Sequence, residues 1–228
     1  MRADTPGVAA MDLAKQLTDL RNARFQGRVS AAYAEFVNIL NRAEVAAHAL
    51  APGAPMPGFL LPNAEGQLLS SAELLESGPL VVTFFRGEWC PFCMLMLTAL
   101  EEVLPEIRGA GATLVAMTPD TGGRALRAKQ GHCLHYEVLA DVDNEVAMQF
   151  GIVVNPPESY RALLVESGID LVERHGNPAG FIPLPATYIV GDDGIVRNAW
   201  IDLDVTRRVE PSVIVEALRP VCLASGRR

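Results

Sequence analysis

The sequence is poor in basic charge and in long apolar runs. Its 228 residues carry 19 Lys and Arg against 27 Asp and Glu, a formal net charge of −8, which argues against a nucleic-acid or anionic-membrane partner. No run approaches the ~18 apolar residues of a membrane span, and the first residues lack the apolar core of a secretory signal. No internal repeat or low-complexity tract is evident. These absences predict a cytoplasmic protein.

Cysteine is also scarce, with four residues in the chain. A chain of this length that is 50% hydrophobic can bury a full core without disulfides or metal. In a reducing compartment, a few cysteines are more often catalytic or incidental than structural. Cys133 and Cys222 stand alone in the sequence, and we assign them no role. Cys90 and Cys93 are different because they stand three residues apart.

Cys90 and Cys93 lie between an apolar, β-prone segment at 80–85 and a segment at 94–107 that favours helix. With Pro91 at the first helical position, Cys90 is predicted at the helix N-cap, where free backbone N–H groups and the helix dipole favour a thiolate. We therefore expect a lowered pKa at Cys90 and assign it the attack. Cys93, one turn further on the same face, is expected to resolve it by forming a disulfide.

A CxxC pair can also be half of a zinc site, for which His132, Cys133 and His135 are the available partners. Structural zinc sites usually come as two such knuckles in loop-rich modules. A single CxxC between a buried strand and a helix is instead typical of a thioredoxin-type redox motif. We therefore expect no metal at this site.

The order of segments predicts an α/β protein with an N-terminal helical extension. A segment rich in proline and glycine at 51–58 marks the start of the main domain, which divides the chain into 1–50, 51–220 and a tail at 221–228. Alternating strand-like and helix-like segments in the main domain predict a central mixed β-sheet flanked by helices. The extension carries two apolar stripes, which form either core or the contact of a homodimer: Leu13, Leu17 and Leu20, then Tyr33, Phe36, Val37 and Leu40.

Residues 155–183 interrupt this alternation with four prolines. Insertions of this length are often loops over a site, and a surface excursion is the alternative. After the insertion, the segments 187–190 and 195–201 are predicted to form a hairpin. The last helix is predicted to start at Pro211 and to end before Pro220.

Four motifs in the chain resemble the peroxiredoxin-like proteins of the AhpC/TSA (alkyl hydroperoxide reductase and thiol-specific antioxidant) family, within the thioredoxin-like superfamily. They are Gly-Glu-Trp-Cys-Pro-Phe-Cys at 87–93, Leu-Pro-Asn-Ala-Glu-Gly at 61–66, Leu-Pro-Ala-Thr-Tyr-Ile-Val at 184–190, and Asp-Leu-Asp-Val-Thr-Arg-Arg-Val-Glu-Pro at 202–211. The resemblance covers roughly residues 51–220 and implies a thioredoxin-like fold. It also implies a cis peptide at Pro185, beside the CxxC turn, with an ordinary trans proline as the alternative.

The resemblance implies a thiol peroxidase that reduces hydrogen peroxide and organic hydroperoxides without a cofactor. Cys90 attacks the peroxide, becomes a sulfenic acid and condenses with Cys93, and thioredoxin or a glutaredoxin-like donor reduces the disulfide. Arg86 is expected to support the thiolate. The expected substrate-binding residues are Gly87, Glu88, Trp89, Pro185 and Arg207.

The chain departs from the family pattern at two positions. Those enzymes usually carry Thr or Ser three residues before the attacking cysteine, where this chain has Gly87. They also carry an Arg just before the late strand, about where this chain has Pro185. Both departures keep open a second hypothesis, a dithiol-disulfide oxidoreductase acting on disulfide substrates, and a third, a redox sensor or metal-holding protein without enzymatic activity.

Overall fold

The structure, a computed structural model, describes residues 12–224, with side chains up to residue 221. The side chain of Cys222 and residues 225–228 of the predicted tail lie outside the described residues, as do residues 1–11 of the predicted extension. In the described range the helices are α1 Leu13–Arg24, α2 Gly27–Arg42, α3 Ser71–Glu76, α4 Pro91–Glu102, α5 Leu104–Gly109, α6 Arg124–Gly131, α7 Glu145–Gln149, α8 Glu158–Glu166, α9 Leu171–His175 and α10 Pro211–Ala224. The strands are β1 Leu60–Pro62, β2 Leu68–Ser70, β3 Leu80–Phe84, β4 Thr113–Thr118, β5 Glu137–Ala140, β6 Val153–Val154, β7 Ile182–Pro183, β8 Ala186–Val190 and β9 Val196–Ile201.

Five of these strands form the central sheet, in the order β5-β4-β3-β8-β9. Strands β3, β4 and β5 run parallel, while β8 is antiparallel to both β3 and β9. The predicted mixed sheet with helices around it is confirmed, and so is the hairpin of β8 and β9. At the end of β3, Phe84 pairs with Met117 on one side and Ala186 on the other. The CxxC turn and the start of β8 therefore lie at the same edge of the sheet.

Every residue of β3 is buried, which explains why this strand reads as an uninterrupted apolar run. The helix that follows is shorter than predicted. It ends at Glu102 because Pro105 has no N–H to continue the hydrogen-bond ladder, and α5 starts again after Val103. The prediction of one continuous helix through residue 107 is therefore wrong, because the helix breaks at Val103.

Two proline predictions are also wrong. The described residues contain no cis peptide bond, so Pro185 is trans. Strand β8 begins directly after it. The trans form of an X–Pro bond is favoured by about 0.5–1 kcal/mol. Helix α10 continues through Pro220 to Ala224. Buried Ile214 and Leu218 hold α10 against the rest of the protein, and this packing sustains the helix although Pro220 donates no hydrogen bond.

The N-terminal helices pack onto the same edge of the protein as the CxxC turn. Helix α1 lies against α4, and α2 lies against α8 of the insertion. The insertion itself forms two helices and a short strand rather than loops. Most members of the two predicted stripes are buried within this chain, so the stripes form core here: Leu13, Leu17, Tyr33, Phe36 and Leu40. No described helix has both the length and the apolar content that crossing a membrane requires.

Candidate active site

The turn between β3 and α4 places both cysteines at the start of a helix. Cys90 is the N-cap of α4 in extended conformation, and Pro91 occupies the first turn, as predicted. The Cys90 N–H donates to the carbonyl of Gly87 at 3.1 Å, and the Cys90 carbonyl accepts from the N–H of Cys93 at 3.0 Å. These backbone bonds fix the two sulfurs on one face of the helix.

The two sulfurs are in direct contact and almost completely buried. Both cysteines are free thiols, and their Sγ atoms lie 2.7 Å apart in a hydrogen bond. Cys90 is 2% exposed and Cys93 is 1% exposed. A disulfide between them needs little movement of the backbone, and a reagent that reaches them has to be small or has to wait for the site to open.

The predicted lowered pKa of Cys90 is wrong. Burial raises the pKa of the Cys90 thiol, and its hydrogen bond to Cys93 raises the pKa further. Burial acts on Cys93 in the same direction, but the hydrogen bond from Cys90 and the positive charge of Arg208 outweigh it and lower the pKa of Cys93 to about 6. Both cysteines lie at the N-terminus of the same helix, so the helix end alone does not decide which thiol ionises. The contacts of the two side chains differ, and these contacts decide it.

Arg86 lies beside the pair as a buried cation. Its side chain is fully buried, none of its three guanidinium nitrogens pairs with an anion among the described residues, and the Tyr160 hydroxyl is a hydrogen-bonding neighbour. Its guanidinium carbon lies 5.8 Å from the centre of the Phe36 ring. Burial acts to lower the pKa of Arg86, but the fields of two tyrosines and of both cysteines outweigh it. An unpaired buried charge is unfavourable, so a neighbouring thiolate stabilises this arginine as much as the arginine stabilises the thiolate.

Aromatic side chains from distant parts of the chain enclose this arginine and the cysteines. Phe36 of α2 stacks on Tyr160 of α8 with ring centres 5.3 Å apart. Phe25, between α1 and α2, lies 5.2 Å from Phe92, the residue just before Cys93. The N-terminal helices and the insertion therefore cover the site together. Sequence reasoning placed Phe36 in an apolar stripe but had no signal for its position over Arg86.

The first part of the turn is held by an aspartate that the sequence analysis missed. Asp120 follows β4, and its Oδ2 accepts the N–H of Glu88 at 2.7 Å. Gly87 has φ +140°, and a Cβ there would lie 2.6 Å from Asp120 Oδ2 and 2.6 Å from Trp89 Nε1. Burial raises the pKa of Asp120 to about 6. The sequence signal was available, since Asp120 comes just after a predicted strand adjacent to β3.

The predicted binding residues at the turn thus have separate positions. Gly87 and Glu88 face Asp120, and the Glu88 carboxylate lies 3.4 Å from Arg127 and 3.9 Å from Arg174. Trp89 is half-buried and lines a groove of about 740 Å³ between α1 and α4. The structure does not bring Gly87, Glu88 or Trp89 into hydrogen-bond contact with either sulfur.

A cavity of about 380 Å³ lies at the start of β8, and neither sulfur lines it. Pro185, Arg207 and Arg208 line it together with Phe84 and Thr187. Arg207 is exposed, and its Nε lies 4.0 Å from Asp204. Arg208 reaches Cys93 with Nη2 at 3.9 Å from Sγ.

A buried histidine of the insertion is a further residue that no pattern in the sequence predicted to lie near the site. His175 is fully buried, and its ring lies near the backbone of Phe181 and Arg86. Burial lowers the pKa of His175 to about 4, so the ring is neutral at physiological pH.

The residues considered for a zinc site do not gather around the pair. Cys133 is exposed, and His135 pairs with Glu101 at 2.8 Å. In the part of the chain that the structure describes, no three His, Cys, Asp or Glu side chains are grouped so that they could hold a metal ion.

A CxxC dithiol at the N-terminus of a helix, at the edge of a mixed sheet, defines a protein of the thioredoxin-like class. The sequence profile of the AhpC/TSA family matches residues 52–199. The chain therefore belongs to the AhpC/TSA family, and the predicted family and fold are both confirmed.

Relatives with established names agree with this placement. A putative peroxiredoxin bcp of Coxiella burnetii is 22% identical over 160 residues, which cover 69% of this chain and 92% of that protein. Peroxiredoxin Bcp of Escherichia coli is 24% identical over 96 residues, 42% of this chain and 61% of that protein. The chloroplastic peroxiredoxin Q of Suaeda salsa is 24% identical over 65% of this chain and 58% of its own length. The match thus spans most of one relative and about 60% of the other two.

Solved structures show the same fold. Peroxidoxin BcpB of Mycobacterium tuberculosis superposes with a TM-score of 0.59 at 19% identity, over 75% of this chain and 98% of its own. The bacterioferritin comigratory protein of Xanthomonas campestris, described with alkyl peroxide reduction activity, gives 0.57 at 15% identity over 72% of this chain and 92% of its own. The named relatives support the predicted class of enzyme, a thiol peroxidase oxidoreductase.

Proposed function

We propose that this chain is a thiol peroxidase that reduces hydrogen peroxide and organic hydroperoxides with its Cys90–Cys93 pair and without a cofactor. One observation carries the proposal: two free thiols lie 2.7 Å apart beside a fully buried arginine that has no hydrogen-bonded anion. This arrangement favours one thiolate and leaves its partner ready to form a disulfide. Membership in a family whose named relatives are peroxiredoxins supports the same chemistry.

The cycle needs one sulfur to attack and the other to resolve. A thiolate attacks the terminal oxygen of the peroxide, so that the S–O bond forms, the O–O bond breaks and an alcohol or water leaves. The resulting sulfenic acid condenses with the second thiol to a disulfide, and water leaves. The cycle balances whichever of the two sulfurs attacks and whichever resolves. The position of Cys90 at the start of the helix led the sequence analysis to assign the attack to Cys90.

Three groups of residues support these steps in distinct ways. Arg86 acts as the buried counter-ion of the thiolate, and its unused N–H groups are available to the peroxide oxygens. Pro185 and Arg207 line the cavity beside the pair and form the binding surface for the rest of the peroxide. Gly87, Glu88 and Trp89 shape and shield the turn rather than contact the reacting atoms.

A second thiol system has to reduce the disulfide. We propose a thioredoxin-type donor, including the glutaredoxin-like ones, because such donors present a small nucleophilic thiol. Since both sulfurs are almost completely buried, the donor reaches the disulfide only when the N-terminal helices move away from it. We propose the cytoplasm as its compartment, because a catalytic dithiol is kept reduced there. A homodimer remains part of this proposal, although the predicted stripes are used for core.

The alternative, a dithiol-disulfide oxidoreductase, has the CxxC spacing and Trp89 in its favour. Exchange with a protein disulfide requires that a sulfur of the pair reach the sulfur of a large partner. At 2% and 1% exposure the pair offers such access only when the N-terminal helices move, as they also have to for the thioredoxin-type donor, whereas hydrogen peroxide is small enough to diffuse to the covered pair. The burial of the pair therefore favours the peroxidase.

Stopped-flow mixing of the reduced protein with hydrogen peroxide and with an organic hydroperoxide tests the proposal, followed by Trp89 fluorescence and intact mass. We expect a reaction at least 100-fold faster than that of free cysteine, and a product that has lost two hydrogens as the Cys90–Cys93 disulfide. A variant with both cysteines changed to serine is the matched control. A rate no higher than that of free cysteine, together with rapid exchange with a protein disulfide, would establish the alternative.

A further inference from the structure

The two sulfurs of the pair have unequal surroundings. Besides the contact with Cys90, Cys93 has Arg208 Nη2 at 3.9 Å and lies near the backbone N–H of Arg86. Cys90 makes no side-chain capping bond to its own helix. Two donors from outside the pair, the Arg208 guanidinium and the Arg86 N–H, thus reach Cys93, so the stabilised anion is the sulfur of Cys93.

Arg208 also connects this sulfur to open space. It lines the cavity of about 380 Å³ at the start of β8, together with Pro185 and the exposed Arg207. The same guanidinium therefore faces the cavity on one side and reaches the sulfur of Cys93 on the other. Neither sulfur lines this cavity or the wider groove between α1 and α4, and Arg208 is the link between the cavity and Cys93.

We infer that Cys93, rather than Cys90, is the sulfur that attacks the peroxide, and that Arg208 holds its thiolate and receives the peroxide from the cavity beside Pro185. This inference rests on the proposed peroxidase function and assigns its first step. Cys90 donates its S–H to the Cys93 thiolate before the attack and becomes the resolving thiol after it.

The step balances with the groups present. The Cys93 thiolate takes the terminal oxygen of the peroxide, and the departing alkoxide or hydroxide takes a proton from solvent beside Arg208. Cys93 is then a sulfenic acid, oxidised by two electrons, and the peroxide is reduced by the same two. Cys90 attacks the sulfur of Cys93; the S–O bond breaks, and the hydroxide leaves as water with the proton of the Cys90 thiol.

Charged and titratable groups around Cys93 come from several elements. Arg86 follows β3, Arg208 precedes α10, Tyr160 lies on α8 and Cys90 caps α4. The arginines and the Cys90 thiol act together to lower the pKa of Cys93, and burial opposes them. Tyr160 is neutral at physiological pH, because burial raises its pKa to about 12.

Ultraviolet titration of thiolate absorbance in the reduced protein tests the assignment without a peroxide. We expect one transition near the pKa of about 6 in the wild type. Cys90→Ser retains it, because a serine hydroxyl donates in place of the thiol, whereas Cys90→Ala moves it upward by about one unit or more. Cys93→Ser abolishes the low transition. Cys133 and Cys222 contribute equally to all four proteins.

Peroxide oxidation of the same variants, with dimedone trapping and peptide mass spectrometry, tests the attack itself. We expect Cys90→Ser to consume one equivalent rapidly and to carry the sulfenic acid on Cys93, and Cys93→Ser to react no faster than free cysteine. Rapid reaction of Cys93→Ser with the sulfenic acid on Cys90 would overturn the inference while leaving the peroxidase intact. A wild type no faster than free cysteine would remove the peroxidase and the attack together.

Arg208 is tested separately. Arg208→Gln should raise the pKa of Cys93 and slow the peroxide reaction at least tenfold, and Arg208→Lys should recover part of both because it keeps the charge. Arg197→Gln, which removes one positive charge at the far end of the β8–β9 hairpin, is the matched control and should behave as wild type. If Arg208→Gln and Arg197→Gln change the pKa of Cys93 by the same amount, Arg208 has no specific role.

Discussion

The ring of Phe25 lies 5.2 Å from the ring of Phe92, which stands between the two cysteines in the sequence. Phe25 belongs to the connection between α1 and α2, so this contact ties the N-terminal helices to the CxxC turn. The Tyr33 hydroxyl adds a second tie, because it accepts the backbone N–H of Val205, three residues before Arg208. The N-terminal helices thus cover the sulfur pair and also hold the loop that carries Arg208.

Removing the first tie should open the site to large reagents. We expect Phe25→Ala to accelerate the reaction of the pair with the aromatic disulfide DTNB at least tenfold and to change the rate with hydrogen peroxide much less. Because Phe25 is half-buried, the loss of stability should be about 1–2 kcal/mol. Stopped-flow absorbance measures the rates, in a background with both Cys133→Ser and Cys222→Ser, so that the pair supplies the only thiols.

Leu60→Ala, at an exposed apolar residue of β1, is the control for that experiment. It should leave both rates unchanged. Equal acceleration with both substituted proteins would mean that general loosening, rather than the Phe25 contact, controls access.

Replacing the buried arginine should separate stability from activity. Below about pH 6 the Cys93 thiol is protonated, and Arg86 is then a buried charge without an anion. We expect Arg86→Met to be as stable as wild type or up to about 2 kcal/mol more stable there, since unpaired buried charge is unfavourable. Above that pH the advantage should shrink, and the peroxide reaction should be at least tenfold slower. Urea unfolding of the reduced proteins at several pH values, alongside stopped-flow rates, measures both.

A large loss of stability in Arg86→Met at low pH would contradict this account. It would mean that Arg86 has strong packing or hydrogen-bonding contacts that do not depend on the thiolate.

Restoring a side chain at Gly87 should fail. A Cβ at Gly87 would lie 2.6 Å from Asp120 Oδ2, and the φ of this residue is +140°. We expect Gly87→Thr and Gly87→Ala to lose about 2–4 kcal/mol and to slow peroxide reduction. Thermal unfolding measures the loss.

Gly66→Ala provides the comparison, since Gly66 also has a positive φ, +87°, but has open space around it. Its loss should be smaller, about 1 kcal/mol, because only the backbone strain remains. If both alanines lose the same amount, the clash with Asp120 is not the cause.

Asp120 should make the folded protein less stable as the pH rises through the range from 4 to 6. Its pKa is raised to about 6 by burial, whereas an unfolded Asp titrates near about 3.9. The folded state therefore holds a proton that the unfolded state has lost, and stability falls over this window. We expect Asp120→Asn to be about 2–3 kcal/mol more stable than wild type at neutral pH and equal to it below about pH 4.

The amide oxygen of that asparagine still accepts the N–H of Glu88, so the turn keeps its shape. Asp193→Asn should show the opposite sign, because Arg197 lowers the pKa of Asp193. Urea unfolding across the same pH range compares the three proteins. An Asp120→Asn protein less stable than wild type at neutral pH would refute the burial argument.

Local signals explain which parts of the fold the sequence predicts correctly. An apolar run makes β3, and Pro91 followed by strong helix formers makes the start of α4, so the CxxC turn is determined by neighbouring residues. The helices of the insertion at 155–183 were missed, because its prolines lie outside the helical runs and suggested irregular chain. Pro105 and Pro220 show the same limit: one proline ends a helix and the other is tolerated within one, and packing decides between the two outcomes.

The sequence by itself determined the family, the central mixed sheet and the position of the two cysteines at a helix start, since each follows from short-range pattern. Only the tertiary structure decided which thiol holds the charge. Arg86 belongs to the turn itself and was expected there, but Arg208 and Tyr160 come from separate segments, and no spacing in the sequence brings them to the same sulfur. Electrostatic fields fall with distance in space and not along the chain, so the pKa values of this pair belong to the folded protein alone.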